Sequence, residues 1–168
     1  DECERFVSAC RYPPLGIRNS NLPRASGYRR NADAYFASAR QRELVVAMVE
    51  TTAGLDALDA IASTPGLDVV QLGPADLVLS RFGFPAPAPE ATEFVESAHR
   101  RVIDAARRHG IRAAANASDP ARARHLVALG YDLIYLGCDL FDMQEHYRTA
   151  LAQLGEVFGQ GRSSSAPH

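Results

Sequence analysis

Short apolar runs alternating with amphipathic helical stretches predict an α/β protein built on a parallel sheet. Three observations carry this expectation. Four successive units repeat one order of apolar strand, turn, helix and closing glycine. The strand runs are rich in β-branched or small apolar residues without polar alternation, as expected of strands covered on both faces. The connections between units are short, which suits parallel neighbours joined by helices. Four units are half of an eight-stranded barrel of ~250 residues. The 168-residue chain is therefore expected to be either an open sheet or the C-terminal half of a larger barrel.

The elements follow in order. Glu2–Arg11 has the apolar spacing of an amphipathic helix. Residues 12–30, YPPLGIRNSNLPRASGYRR, then form a long polar segment with three prolines. It is too long for an ordinary connection, so it is expected to be functional, interface-forming or disordered. A short helix over Ala34–Arg40 leads into the first strand, Val45–Glu50. A helix over Ala53–Ser63 and the strand Asp68–Gly73 come next. In the long helix Glu90–His109, the residues Phe94, Val95, Ala98, Val102, Ile103, Ala105 and Ala106 draw one apolar stripe, with Arg100, Arg101, Arg107 and Arg108 facing outward. The strand Arg112–Asn116, the helix Pro120–Leu129, the strand Leu133–Gly137 and a final helix over Leu140–Phe158 complete the pattern. Gly66, Gly110 and Gly130 stand where left-handed residues close helices, and Ser118 or Asp119 before Pro120 reads as an N-cap. One domain is expected over residues 1–158, with GQGRSSSAPH, residues 159–168, as a flexible tail.

Composition narrows the function. Hydrophobic residues at 46% and charged residues at 23% describe a soluble globular protein. A formal charge of −2 gives no reason to expect nucleic acid or an anionic membrane as partner. No apolar run approaches the roughly 20 residues that span a bilayer, and DECERFVSAC at the start has no charged-then-apolar leader. Cys3, Cys10 and Cys138 are odd in number and form no CxxC, which suits reduced thiols in a cytoplasmic protein; Cys3 and Cys10 are expected to pack rather than pair. All 18 basic residues are arginine. A P-loop and a Schiff-base lysine are thereby excluded within this chain, since both need a primary amine. Any carbonyl activation must use a metal or a cofactor instead.

Two acids stand at strand ends. Glu50 closes the apolar run VVAMV, and Asp76 lies just beyond DVVQLGP. Active sites of parallel α/β proteins collect at the carboxyl ends of the strands, and adjacent strands would bring both acids to one rim. Two carboxylates with open positions for water and substrate suit a hard cation such as Mg²⁺ or Mn²⁺. The turn GPADL would also aim the amides of Ala75 and Asp76 outward, toward a carboxylate or phosphate. The same residues have a plainer reading: Asp76 as a helix cap and Glu50 as a solvated strand end. Spacing alone leaves both open. His99, His109, His125 and His146 fall in helices or at helix ends and His168 in the tail, so each is expected to be a surface residue rather than a base.

The text around both acids, VVAMVETTAGLDALDAIASTPGLDVVQLGPADLVLS over residues 45–80, resembles the core signature of the HpcH/HpaI family of class II, metal-dependent pyruvate aldolases. RYPPLGIR, residues 11–18, is similar to that family's motif between its fourth helix and fifth strand. The resemblance implies the C-terminal half of a (β/α)₈ TIM barrel of the phosphoenolpyruvate/pyruvate type, usually assembled as homo-oligomers. It implies Glu50 and Asp76 as ligands of a divalent cation (Mg²⁺, Mn²⁺ or Co²⁺). It implies the amides of Ala75 and Asp76 as receptors for the carboxylate of a 2-oxo acid, with Gly73 allowing close approach. The implied reaction cleaves a 4-hydroxy-2-oxo acid to pyruvate and an aldehyde. The family's first four strands, with its catalytic histidine and an arginine supporting the keto oxygen, have no counterpart here. A silent half-barrel that binds an oxo acid or serves oligomerisation is therefore the alternative. Met48 stands where the family has glutamine, Asn19 where glycine often follows the motif's arginine, and VLSRFGFP is one residue longer than usual. Arg18 is a candidate for substrate or subunit contact.

Overall fold

In the computed structural model, which describes residues 2–20 and 24–161, the four apolar runs pair in sequence order into one sheet. The strands are β1 (Val46–Val49), β2 (Val69–Leu72), β3 (Arg112–Ala117) and β4 (Leu133–Leu136), all parallel. Each lies within a residue of its expected position. The register sets Val49 beside Leu72, Leu72 beside Ala115, and Ala117 beside Leu136.

The helices are α1 (Glu2–Cys10), α2 (Ala32–Arg42), α3 (Thr52–Asp56), α4 (Leu58–Ala62), α5 (Pro74–Phe82), α6 (Ala88–His109), α7 (Pro120–Leu129) and α8 (Asp139–Gly161). The single helix expected over Ala53–Ser63 is divided at Ala57, yet both pieces bury one face through Leu55, Leu58 and Ala62. Helix ends follow the local chemistry. Asp119 caps α7 by accepting from the amides of Ala121 and Arg122 at 2.8 and 2.9 Å. Gly110 and Gly130 close α6 and α7 with φ of 67° and 112°. Of the tail expected from residue 159, residues 162–168, His168 among them, lie outside the described residues.

One face of the sheet is covered. Val49, Val70, Leu72, Ala113, Ala115 and Ala117 pack against the α6 stripe and against Leu126 of α7. Small strand residues allow this close seat: Ala98, Ala105 and Ala106 on α6 meet alanines on β3, and all six are nearly inaccessible. Pleating sends the other residues to the opposite face, where Met48 is 49% and Tyr135 40% exposed.

The amino ends of the strands are tied by charge. Arg11 is 5% exposed. It pairs with Asp68 and donates to the carbonyls of Gly66 at 2.9 Å and Glu43 at 3.3 Å. Asp68 also accepts from the Val45 amide at 2.7 Å, joining the approaches to β1 and β2. The long polar segment is ordered over its described part. The Ile17 amide donates to Ser8 at 2.8 Å and that of Arg18 to Arg11 at 2.9 Å. Gly16 is required there, since a Cβ would stand 2.3 Å from the Ser8 carbonyl oxygen. Cys3 and Cys10 are free and pack beside Val7, Val45 and Leu67, as expected.

Candidate active site

The site is built from the carboxyl ends of β1 and β2. Continuing the register one step sets Glu50 beside Gly73, and the Gly73 amide donates to the Val49 carbonyl at 2.9 Å. Contact is close. A Cβ at Gly73 would stand 2.9 Å from Glu50 Cβ, 3.1 Å from Met48 Sδ and 3.3 Å from Glu50 Oε2. Glycine thus lets the Glu50 and Met48 side chains seat directly against the end of β2, with the Glu50 carboxylate beside it. Gln71 and Asn116 follow on the same face, the Gln71 Nε2 donating to Asn116 Oδ1 at 3.1 Å. This amide bridge fixes β2 to β3 just below the rim.

The turns on both sides are held by hydroxyls. Thr51 caps α3 by accepting from the Gly54 amide at 3.0 Å. The Thr52 amide donates to Ser80 Oγ on α5 at 3.1 Å. The chain leaving Glu50 is therefore anchored to the helix that carries Asp76. Gly73 is the N-cap of α5 and Pro74 its first residue, with no side-chain cap. Asp76 is thus not the cap; it stands within the first turn, where the helix's positive end favours an anion. The first helical bond runs from the Leu77 amide to the Gly73 carbonyl at 3.1 Å. The amides of Ala75 and Asp76 accordingly have no hydrogen-bond partner among the described residues. The same holds for the side chains of Glu50 and Asp76, which enter no ion pair or hydrogen bond there. Among the described residues no three His, Cys, Asp or Glu converge as a metal cage. Glu50 and Asp76 are oxygen donors without intramolecular partners among the described residues, the donor chemistry that a hard cation takes.

One histidine departs from expectation. His99 is not a surface residue: it is 2% exposed. Its Nδ1 is 2.7 Å from the Tyr131 hydroxyl and its Nε2 is 3.0 Å from Arg122 Nη2. Burial and the Arg122 charge push its pKa below the ordinary 6.5, and burial raises that of Tyr131. His99 borders a cavity of about 370 Å³ at the ends of β2 and β3, together with Leu72, Pro74, Ala115, Ser118 and Arg122. The helical period contained the signal, since His99 falls four residues after Val95 and three before Val102 on the apolar stripe. His109, His125 and His146 are exposed as expected, and His109 pairs with Asp59 at 3.0 Å. Arg18 is occupied within the chain. It pairs with Glu43 at 2.7 Å and covers the Tyr12 ring at 4.7 Å, at the amino end of β1 and away from Glu50.

Residues 1–145 match the HpcH/HpaI aldolase/citrate lyase family. The chain is 35% identical over 161 residues to a 2-keto-3-deoxy-L-rhamnonate aldolase of Salmonella paratyphi B, covering 94% of this chain and 58% of that protein. It is 31% identical to an HpcH/HpaI aldolase/citrate lyase family protein from Burkholderia cenocepacia J2315, with TM-score 0.74 over 92% of this chain and 60% of that one. An HpcH/HpaI aldolase from Desulfitobacterium hafniense DCB-2, 21% identical, shares the fold with TM-score 0.77 over 89% of this chain and 57% of that one. The chain thus spans little more than half the length of these relatives, and its four-stranded parallel sheet is a partial (β/α)₈ barrel. It belongs to the HpcH/HpaI aldolase/citrate lyase family.

Proposed function

We propose that this chain carries the metal- and carboxylate-binding half of a class II aldolase that cleaves a 4-hydroxy-2-oxo acid to pyruvate and an aldehyde. The observation that supports this reading most is the close seat of Glu50 against Gly73. The uncommitted Glu50 carboxylate stands at this strand end, and the free amides of Ala75 and Asp76 follow on the next turn. Glu50 and Asp76 would hold Mg²⁺, Mn²⁺ or Co²⁺. When bound, such an ion supplies Lewis-acid withdrawal of electrons from a keto group. The protein's own part is to bind and orient. The Ala75 and Asp76 amides receive the oxo acid's carboxylate at a helix N-terminus, and Gly73 keeps the approach open. With no lysine in the chain, imine chemistry has no residue to use.

Gly73→Ala tests this arrangement. The residue's φ of −103° accommodates alanine, so the fold should survive while the new methyl displaces Glu50. Titration calorimetry with Mn²⁺ in the presence of pyruvate is expected to show about tenfold weaker binding, the cost typical of disturbing a ligand's support. Unchanged affinity would remove the Gly73–Glu50 contact from the site.

A catalytically silent oxo-acid-binding or oligomerisation module is the second reading, and one observation favours it. The four described histidines supply no base beside Glu50: His99 is held on the helix side of the sheet and the others are exposed. An aldolase assay on the isolated chain with Mn²⁺, run beside the binding titration, separates a silent binder from an enzyme.

The same reading includes a homo-oligomer in the cytoplasm, with reduced Cys3, Cys10 and Cys138. No described helix is long and apolar enough to cross a membrane. β1 and β4 are edge strands, and α8 presents Leu140, Met143, Tyr147, Leu151 and Leu154, each at least half exposed. Such unpaired edges and apolar surface favour association. Analytical ultracentrifugation is expected to show self-association; a clean monomer with a sharp cooperative melt would contradict it.

A further inference from the structure

The contacts of His99 determine its protonation. An arginine can only donate, so the Arg122 Nη2 group, 3.0 Å away, donates to a bare Nε2. The ring proton of the neutral imidazole is then on Nδ1, where it donates to the Tyr131 hydroxyl at 2.7 Å. In this state a neutral ring pins Arg122, and with it the first turn of α7, to α6. A proton on Nε2 would set two donors and two positive charges face to face across the same 3.0 Å, in a site where His99 is 2% exposed. Arg122 must then leave. A receiver is already in place: Glu96, one turn before His99 on α6, lies 3.9 Å from Arg122 Nη1.

We propose that His99 and Arg122 form an acid-released latch between α6 and α7, which holds the β3–α7 turn while His99 is neutral and frees it when His99 is protonated. Every charged or titratable group facing the ring bears on this. On α6, Glu96 favours the protonated ring; on α7, Arg122 and His125 oppose it. Tyr131 accepts from Nδ1 in both states. Asp119, on the turn itself, is committed to Ser118 Oγ at 2.8 Å and to the Ala121 and Arg122 amides, so it keeps α7 capped when the latch opens. Release reaches beyond the pair, because His99 and Arg122 line the cavity together with Leu72 and Pro74, the neighbours of Gly73.

The test follows both side chains through one titration of the full chain by ¹⁵N nuclear magnetic resonance. The His99 ring is expected to be the Nδ1–H tautomer at neutral pH and to gain its second proton below the ordinary value of 6.5. The Arg122 side-chain signals should shift with the same midpoint. In His99→Gln that shift should vanish. Glu96→Gln, which removes the receiver's charge and keeps both members of the pair, should lower the His99 midpoint further. The latch is overturned if Arg122 is unmoved while His99 titrates, if Arg122 moves equally in His99→Gln, or if His99 stays neutral until the chain unfolds.

Discussion

Glu50→Gln and Asp76→Asn are each expected, on the proposed reading, to reduce divalent-metal-dependent cleavage of a 4-hydroxy-2-oxo acid by about a hundredfold or more, since each would remove a proposed anionic oxygen ligand and with it several kcal/mol of Lewis-acid assistance. Steady-state kinetics on the chain supplied with the remaining strand–helix units would measure this. Titration with Mn²⁺ on the chain itself gives the binding counterpart. Neither carboxylate has an intramolecular partner among the described residues, so both variants should retain stability within about 1 kcal/mol, the most that loss of an exposed charge at a helix N-terminus costs. That combination of intact folding and lost metal separates a binding role from a structural one. A fall in rate of less than about tenfold in both variants would sink the assignment.

Arg11→Ala is expected to have the largest effect on folding. Its guanidinium, 5% exposed, holds Asp68 and the carbonyls of Gly66 and Glu43. Removing one partner of a buried pair leaves the other charge uncompensated, at about 3–5 kcal/mol. Asp68 retains its bond from the Val45 amide, and its side chain is 33% exposed, which places the loss near the lower end of that range. Urea denaturation followed by circular dichroism would register it as a lower midpoint with unchanged slope. A loss below about 1 kcal/mol would mean that water replaces the guanidinium at little cost, contrary to the burial described.

How much of this was legible in the sequence follows from how local each signal is. The strands were legible because runs such as VVAMV and DVVQL are too short and too β-branched for helices. The ends of α6 and α7 were legible from Gly110, Gly130 and Asp119, residues whose own backbone or side chain makes the cap. Non-local contacts were not legible. His99 was expected at the surface because its partners, Arg122 and Tyr131, lie 23 and 32 positions along the chain. Arg18 looked available for a ligand because Glu43, 25 positions away, gives no local sign of its approach. For Glu50 and Asp76 the sequence left a solvated strand end and a helix cap as alternatives. The geometry sets aside the cap, since Gly73 holds that position.

The distribution of ties along the strands has an evolutionary consequence. The Arg11–Asp68 anchor secures the amino ends, whereas Gly73, Ala75 and Asp76 sit at the opposite end with few intramolecular commitments. Such polarity makes the scaffold forgiving of innovation. Libraries confined to the turns after each strand can explore new specificities with little erosion of the melting point, while equal diversity around Arg11 would yield mostly aggregated protein.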